Sequence, residues 1–306
     1  MARFIGHRLL QFIPLALAIS FVVFLFAHLS GDPVTLMVSP DTKPEDITRM
    51  RRQLGLEDPL LAQYARFVGK AVQGDLGTSI RHQMPATSLI AERLPATIEL
   101  AAASLAVALV LGVASGIAAA IRRGTPFDLL VMAAATLGQA MPPFWLGLML
   151  ILTFGVSLNW LPVSGRGSLA QLILPALTLG SFLTAMNAQI VRSEFLDILG
   201  QDYLRTARAK GVPEALVILK HGLRNGLIPL VTLVALQMGQ LLGGAVITET
   251  IFAWPGLGRL VVNAIYDRDY PLTQACVLVL ALIFVLANLI ADIAYAYIDP
   301  RVRYER

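Results

Sequence analysis

The residue types that could support catalysis or metal binding do not fall in the spacings that such chemistry needs. No G-x-x-x-x-G-K-[ST] phosphate-binding loop occurs, so another subunit must handle any ATP. The run Gly112 to Gly116 lacks the spacing of the G-x-S-x-G nucleophile turn and is more simply a small-residue helix-packing face. The four histidines show no metal-ligand spacing: His7, His28, His82 and His221. We therefore predict no catalytic residue, no metal site and no enzymatic activity.

Polar side chains inside long apolar stretches are the next candidates, because they are costly in a membrane and are often functional there. Gln237 and Gln240 lie three residues apart and would share a helix face, which is consistent with a hydrated path for a substrate. The alternative is hydrogen bonding between helices, worth about 0.6 kcal/mol each. The predicted pathway residues are Met141, Asn187, Gln237 and Gln240, and further polar candidates are Gln189, Asn288 and Asp292.

The segment Asp202 to Pro213 has the pattern of a short helix with defined ends. Asp202 is expected to accept from the first-turn amides, and Lys210 to favour the carboxyl end. Gly211 suits a left-handed cap, and Pro213 would start a second helix that runs to about Asn225. A helix of this length is marginal in water, so it must pack on something.

The surface predicted for this short helix has two possible uses. Leu204, Ala207 and Gly211 fall on one side at helical spacing, flanked by Arg205 and Arg208. Such a small apolar ridge between positive charges fits a groove on a soluble partner. The alternative is an interfacial helix whose arginines meet anionic lipid headgroups.

Composition and length identify the elements that carry these residues. The chain has 306 residues, 56% apolar and 14% charged, whereas soluble domains are about a quarter charged. Each apolar stretch is long enough to cross a bilayer, which takes about 20 residues. A soluble protein with buried helices, or a cleavable signal peptide for the first stretch, fits less well. The stretches are Leu9 to Ala27, Leu100 to Ile121, Leu129 to Leu158, Leu169 to Val191, Gly226 to Thr248 and Pro271 to Ala291.

The basic residues give an orientation for six crossings. Thirteen of the 24 Lys and Arg residues lie on the side of both termini, and three lie in the two short loops opposite. The positive-inside rule therefore places both termini in the cytoplasm. Cys276, the single cysteine, excludes an intrachain disulfide framework and is interpreted as a small apolar residue.

These spans define the predicted domain organisation. An amino-terminal helix (1–29) precedes an external helical segment (30–98), which is either a docking surface or a cap over the bundle. Residues 99–298 form a core of five membrane helices with a cytoplasmic loop at 192–226, and 299–306 form a cytoplasmic tail. Met141-Pro142-Pro143 interrupts the third stretch, either as a break that lies against the bundle or the path, or as a plain kink. The loop from Glu249 to Pro271 is either a gate or re-entrant piece, or an aromatic anchor at the headgroups.

Several motifs resemble the permease subunits of bacterial ABC importers, in particular the dipeptide and oligopeptide branch. The segment Asp202 to Pro213, continuing through His221 to Thr232, is similar to the cytoplasmic EAA loop of that family. The positions of the three name-giving residues hold Arg205-Thr206-Ala207, a variant typical of the peptide branch. Further matching motifs cover nearly the whole chain: Gly31-Asp32-Pro33-Val34, Gln53-Leu54-Gly55-Leu56, Gly74-Asp75-Leu76-Gly77, Glu249 to Arg259 and Arg268-Asp269-Tyr270-Pro271.

The resemblance implies an all-α polytopic bundle in the bacterial inner membrane that forms half of a translocation pathway. The partners would be a second homologous permease, two cytoplasmic ATPase subunits, an external substrate-binding protein and membrane lipid, with no nucleic acid. ATP and Mg would be bound by the ATPase subunits, and this chain would hold no cofactor. The coupling helix that contacts the ATPase would be Tyr203, Leu204, Arg205, Thr206, Ala207, Arg208, Ala209, Lys210, Gly211 and Val212.

The substrate is left open by the resemblance. Short peptides are the first expectation, and glutathione or nickel complexes moved by the same machinery are the alternatives. An ATP-independent secondary transporter or channel is the competing class, but such proteins usually carry ionisable relays in mid-membrane helices, and none is apparent here.

Overall fold

A computed structural model describes residues 2–29, 43–53 and 56–298. Within these ranges the regular secondary structure is helical, apart from one isolated bridge between Thr78 and Pro85, and turns and loops connect the helices. Two π-helical turns, Ile151–Ser157 and Val217–Gly222, each follow an α-helix directly. The helices are α1 (Ala2–Leu29), α2 (Pro44–Gln53), α3 (Leu60–Val72), α4 (Ala86–Ile121), α5 (Pro126–Ala140), α6 (Pro143–Leu150), α7 (Leu169–Leu199), α8 (Asp202–Ala209), α9 (Glu214–Leu216), α10 (Leu223–Ile251), α11 (Leu257–Tyr266) and α12 (Tyr270–Ile298).

Five of the predicted apolar stretches lie within single helices, and Leu129 to Leu158 covers most of α5, then α6 and the π-helical turn after it. In the described part of the chain, α4, α7 and the Tyr270–Ile290 part of α12 are long and apolar enough to cross a membrane. The pair α5 and α6 provides a fourth span if its two halves count as one, and the apolar part of α1, Leu10–Phe26, is shorter. The all-α membrane fold is confirmed, and the number of six crossings stays a prediction.

The interruption predicted at Met141 is present. Helix α5 ends at Ala140, Met141 and Pro142 are extended, and Pro143 begins α6. Proline disfavours the helical conformation in the residue before it, which explains the extended backbone at Met141. The halves are bent by 111°, so the feature is a break and not the plain kink that the sequence also allowed.

The segment predicted to be external and helical contains two helices in its described part, α2 and α3. The predicted boundary between residues 98 and 99 lies inside the continuous helix α4. Three predicted features lie outside the described residues: the motif Gly31-Asp32-Pro33-Val34, the Leu54-Gly55 part of the next motif, and the tail 299–306.

The chain divides into two compact units. The first comprises Thr97–Trp254, the chain from Leu286 and residues Met1–Ala2, and α7 is its central helix. Helices α5, α6 and α10 all contact α7, which buries Leu174, Leu183 and Phe195 almost completely.

Two glycines let α4 approach α7 closely. A Cβ atom on Gly112 would lie 2.7 Å from the Asn187 Cβ and 2.8 Å from the Thr184 carbonyl oxygen. On Gly116 it would lie 2.7 Å from the Ala188 carbonyl oxygen. Such short contacts exclude a side chain, so the small-residue packing face predicted for Gly112 to Gly116 is confirmed.

We expect Gly112→Ala to destabilise the protein by about 1–3 kcal/mol, because the new methyl group meets a backbone carbonyl that cannot move aside. Gly243→Ala is the matched control, since nothing lies within 4 Å of a Cβ there and alanine is the better helix former. Thermal unfolding of the purified protein in detergent measures both. Equal midpoints for the two variants would contradict the close packing of α4 on α7.

The second unit comprises Arg3–Ala96 and Pro255–Val285. Tyr64 of α3 contacts α1, where its hydroxyl lies 2.7 Å from the Ser20 Oγ and 2.8 Å from the Leu17 carbonyl oxygen. The centroids of the Phe24 and Phe67 rings are 5.9 Å apart. These contacts pack α3 on the first helix of the chain.

The motif Arg268-Asp269-Tyr270-Pro271 contacts the turn that follows the motif Gly74-Asp75-Leu76-Gly77 through Asp269. Its carboxylate is buried and accepts from the Ser79 hydroxyl at 2.5 Å, the Arg81 amide at 3.1 Å and the Leu272 amide at 3.2 Å. A Cβ on Gly77 would lie 3.7 Å from the Pro271 Cβ. Asp269 therefore both caps the start of α12 and holds the turn that precedes α4.

Candidate functional site

The short helix α8 is anchored to its own chain by its apolar side. Leu204 is fully buried and Ala207 is 9% exposed, and both pack on Val217. Ile198, Leu199 and Val212 complete this small core. An eight-residue helix is not stable alone in water, so this packing is what holds it in place.

The prediction that the apolar side of α8 enters a partner is therefore wrong. Leu204 and Ala207, which were to form it, stabilise α8 from within, and the side left for a partner is mostly polar. Helical spacing identified the apolar residues correctly but did not show that this chain uses them itself. The exposed residues of the predicted coupling helix are Tyr203, Arg205, Thr206, Arg208, Ala209, Lys210 and Gly211, and Val212 is half-buried.

The carboxyl end of α8 has the predicted left-handed glycine. Gly211 has φ +77°, its amide donates to the Arg208 carbonyl at 2.9 Å, and the Val212 amide donates to the Ala207 carbonyl at 3.2 Å. These bonds satisfy carbonyls that the end of the helix would otherwise leave free. The predicted cap at the other end is wrong, because Gln201 occupies that position without a side-chain bond and Asp202 is the first helical residue.

A bidentate ion pair closes the turn after α8. The Arg208 Nε lies 3.0 Å from Glu214 Oε2, and the Arg208 Nη2 lies 2.8 Å from Glu214 Oε1. This hydrogen bonding lowers the pKa of the Glu214 carboxyl and raises the pKa of the Arg208 guanidinium. Both side chains are partly exposed, so the pair contributes more to the geometry of the turn than to overall stability.

The helix after the turn leads directly into the membrane part of the chain. It was predicted to end near Asn225, but α9 continues through the π-helical turn Val217–Gly222 into α10. Val217 packs on α8, and Ile218 packs on Val191 and Phe195 of α7. A displacement of α8 therefore acts on α7 by contact and on α10 through continuous backbone.

Two of the predicted pathway residues form a closed pair between α7 and α10. The Gln237 Nε2 donates to Asn187 Oδ1 at 2.6 Å, and the Asn187 Nδ2 lies 3.3 Å from the Ala108 carbonyl oxygen and 3.4 Å from Gln237 Oε1. Both side chains are buried. Their observed role is the hydrogen bonding between helices that the sequence left as the alternative.

The remaining polar candidates are in different surroundings. Gln189 accepts from the Gln139 Nε2 at 3.0 Å, which connects α7 to α5. Gln240 is exposed, and Met141 is half-buried at the break between α5 and α6. The side chain of Asp292 lies outside the described residues.

Sequence reasoning missed an ion pair that joins α5 to α7. The Arg192 guanidinium contacts Asp128 through Nε at 2.6 Å and Nη2 at 2.7 Å, and Asp128 is 3% exposed. The Gly124 amide adds a third bond to the carboxylate at 3.0 Å. The available signal was an acidic residue in the first turn of a capped helix, but sequence alone does not show which basic residue faces it.

A buried glutamate near the end of α10 was also missed. Glu249 is fully buried and accepts from the Thr97 hydroxyl of α4 at 2.6 Å. It belongs to the motif Glu249 to Arg259, whose sequence gave no indication that its acidic residue faces inward. Among the described residues, no group of three or more His, Cys, Asp or Glu side chains is arranged to hold a metal ion.

Comparison with known proteins shows the family to which this chain belongs. Residues 108–304 match the family described as "Binding-protein-dependent transport system inner membrane component". Residues 1–101 match the amino-terminal domain of the corresponding membrane components. The carboxyl-terminal match includes α8 and the whole of α10, so the anchored helix α8 belongs to the shared family region.

The chain is also similar over its full length to individual permeases. It is 46% identical over 306 residues to the glutathione transport system permease proteins of Escherichia coli (strain K12), Shigella dysenteriae serotype 1 (strain Sd197) and Salmonella paratyphi A (strain ATCC 9150 / SARB42). Each comparison covers 100% of both chains. Proteins of this family are transport subunits of the bacterial inner membrane that work with an ATPase and a substrate-binding protein. The resemblance drawn from the motifs is thus confirmed, and the chain belongs to the binding-protein-dependent permeases of ABC importers.

Proposed function

We propose that the chain forms half of the pathway of an importer for short peptides, with glutathione, itself a tripeptide, as the first candidate substrate. The supporting observation is 46% identity along all 306 residues to permeases named for glutathione transport. The complex would contain a second homologous permease, two ATPase subunits and an external binding protein. Both termini would lie in the cytoplasm, as the distribution of basic residues predicts.

In this proposal, the exposed side of α8 contacts the ATPase, which binds ATP and Mg while this chain holds no cofactor. Tyr203 and Thr206 lie on that side, and Leu204 and Ala207 fasten it to the chain. ATP can shift the bundle only if this contact is stronger in one ATPase conformation than in another. The contact of α8 with α7 and its continuity with α10 are the two routes by which such a preference reaches the membrane.

The residues that line the substrate path are the next part of the proposal. Gln240 is exposed and is the best candidate for a polar group that lines the path, and Met141 lies at the break where helical regularity is lost. Asn187 and Gln237 are hydrogen-bonded to each other. We therefore propose that they hold α7 against α10 and contact the substrate only if this pair opens.

Uptake of labelled glutathione, a labelled dipeptide and radioactive nickel by cells with and without the complete gene cluster tests the substrate. We expect cluster-dependent uptake of glutathione, and its loss when the phosphate-loop lysine of the partner ATPase is replaced. The control is a membrane uncoupler, which should leave uptake largely intact while ATP persists. Cluster-dependent uptake of nickel alone would contradict the proposed substrate, and uptake independent of the ATPase would contradict the importer class.

A further inference from the structure

A polar cleft lies within the second unit, apart from the coupling helix. Its volume is about 460 Å³, which is within the range of small-molecule sites. It opens among the turn that precedes α4, the start of α4, and α11. The lining side chains that the argument uses are His82, Arg93, Arg259, Asn263, Tyr266 and Asp267.

The lining of this cleft favours an anion. Arg93, Arg259 and His82 come from three separate segments of the chain, and Asp267 is the single carboxylate among the lining residues. The Arg93 Nη2 pairs with Glu92 Oε1 at 3.2 Å, and because Glu92 is 62% exposed, water screens that pair. The Arg93 Nε is buried with no hydrogen-bond partner. A buried donor left unsatisfied is unfavourable, and a turn of the Arg93 side chain, which is 36% exposed and lines the cleft, toward an acceptor there would relieve it.

The amino end of α11 adds to this preference. Pro255 and Gly256 line the cleft, and Gly256 precedes the ten-residue helix without providing a side-chain cap. The helix dipole therefore places partial positive charge at this edge of the cleft. Arginine forks match carboxylates in geometry, and Asn263 and Tyr266 can donate to uncharged oxygens of the same molecule.

We propose that this cleft binds the carboxylate groups of the transported solute on the external side of the membrane. The inference rests on the proposed function, because it takes a peptide-like solute with free carboxylates as the cargo. It deepens that function by assigning to Arg93 and Arg259 a direct contact with the cargo. The concave shape suits a solute of tripeptide size.

The test uses the complete transporter in lipid nanodiscs without the binding protein. Two probes are compared by saturation-transfer NMR: glutathione, and its diethyl ester, in which both carboxylates are masked. We expect the wild type to bind glutathione and not the ester, and Arg93→Gln and Arg259→Gln to weaken glutathione binding about tenfold each. Arg81→Gln is the matched control, because Arg81 is exposed on the same turn as His82 and does not line the cleft.

Three results would overturn the proposal: unchanged binding in both cleft variants, equal weakening by Arg81→Gln, or wild-type binding of the ester as strong as that of glutathione. Arg259→Lys keeps the charge and should retain most of the binding, so loss of fold is separable from loss of contact. The binding assay does not depend on transport. Absence of glutathione and peptide uptake by wild-type cells would therefore remove the proposed function, whereas loss of carboxylate-dependent binding removes the cleft assignment.

Discussion

Replacing Gly211 with valine is expected to abolish transport, lowering the maximal uptake rate at least tenfold, while the protein still inserts in the membrane. Gly211 has φ +77° and nothing lies within 4 Å of a Cβ there, so the cost within this chain is that of the backbone alone. A left-handed non-glycine residue costs about 1–2 kcal/mol, which a folded membrane domain can tolerate. The larger effect comes from the partner, because the new side chain projects from the exposed end of α8, where the ATPase is proposed to bind.

Gly74→Val provides the matched control for this change. Gly74 has φ +83° and equally open surroundings, so it carries the same backbone penalty, but it lies in the turn after α3. Uptake by reconstituted vesicles, normalised to the amount of permease in the membrane, compares the two variants. Full transport by Gly211→Val, or equal loss in both variants, would remove α8 from the coupling role.

The second large effect is expected at the ion pair between α5 and α7. Asp128→Ala leaves the Arg192 guanidinium partly buried without its carboxylate, since Asp128 is 3% exposed and the Arg192 side chain 25%. Breaking a fully buried pair costs about 3–5 kcal/mol, and because Arg192 is partly exposed we expect about 2–3 kcal/mol here. Thermal unfolding in detergent measures this loss.

A double-mutant cycle and an exposed pair separate this effect from general electrostatics. Asp128→Ala combined with Arg192→Met should be less destabilised than Asp128→Ala alone, because no charge then remains unpaired. Glu99→Ala breaks the pair of Glu99 with Arg166, whose side chains are 40% and 35% exposed, and should cost less than about 1 kcal/mol. Equal costs for Asp128→Ala and Glu99→Ala would contradict a structural role for the buried pair.

The sequence predicted the helices better than it predicted their partners. Apolar length located the long helices, and the chemistry of proline and glycine located the break after Ala140 and the turn at Gly211. These features are local, because each depends on backbone preferences that neighbouring residues express by themselves. The close approach at Gly112 was predictable for the same reason, since small residues at spacing four mark a packing face.

The predictions that were wrong or missing all concern contacts between residues that are distant in the sequence. Leu204 and Ala207 are apolar at helical spacing whether they face a partner or their own chain, so the pattern could not choose between the two. The pairing of Asp128 with Arg192 joins positions 64 apart, and that of Asn187 with Gln237 joins positions 50 apart. Such pairs follow from how the helices pack, and that packing cannot be read from a single sequence.

Photo-crosslinking from α8 tests the coupling assignment most directly. A photoreactive phenylalanine analogue replaces the exposed Tyr203 in the complete transporter, and replacement of Tyr266, which is 84% exposed on α11, serves as the control. We predict a covalent adduct between position 203 and the ATPase subunit, with a yield that changes when ATP is added, and no ATPase adduct at position 266. Adducts at position 203 with lipid alone, or ATPase adducts at both positions, would contradict the assignment of α8 as the ATPase contact.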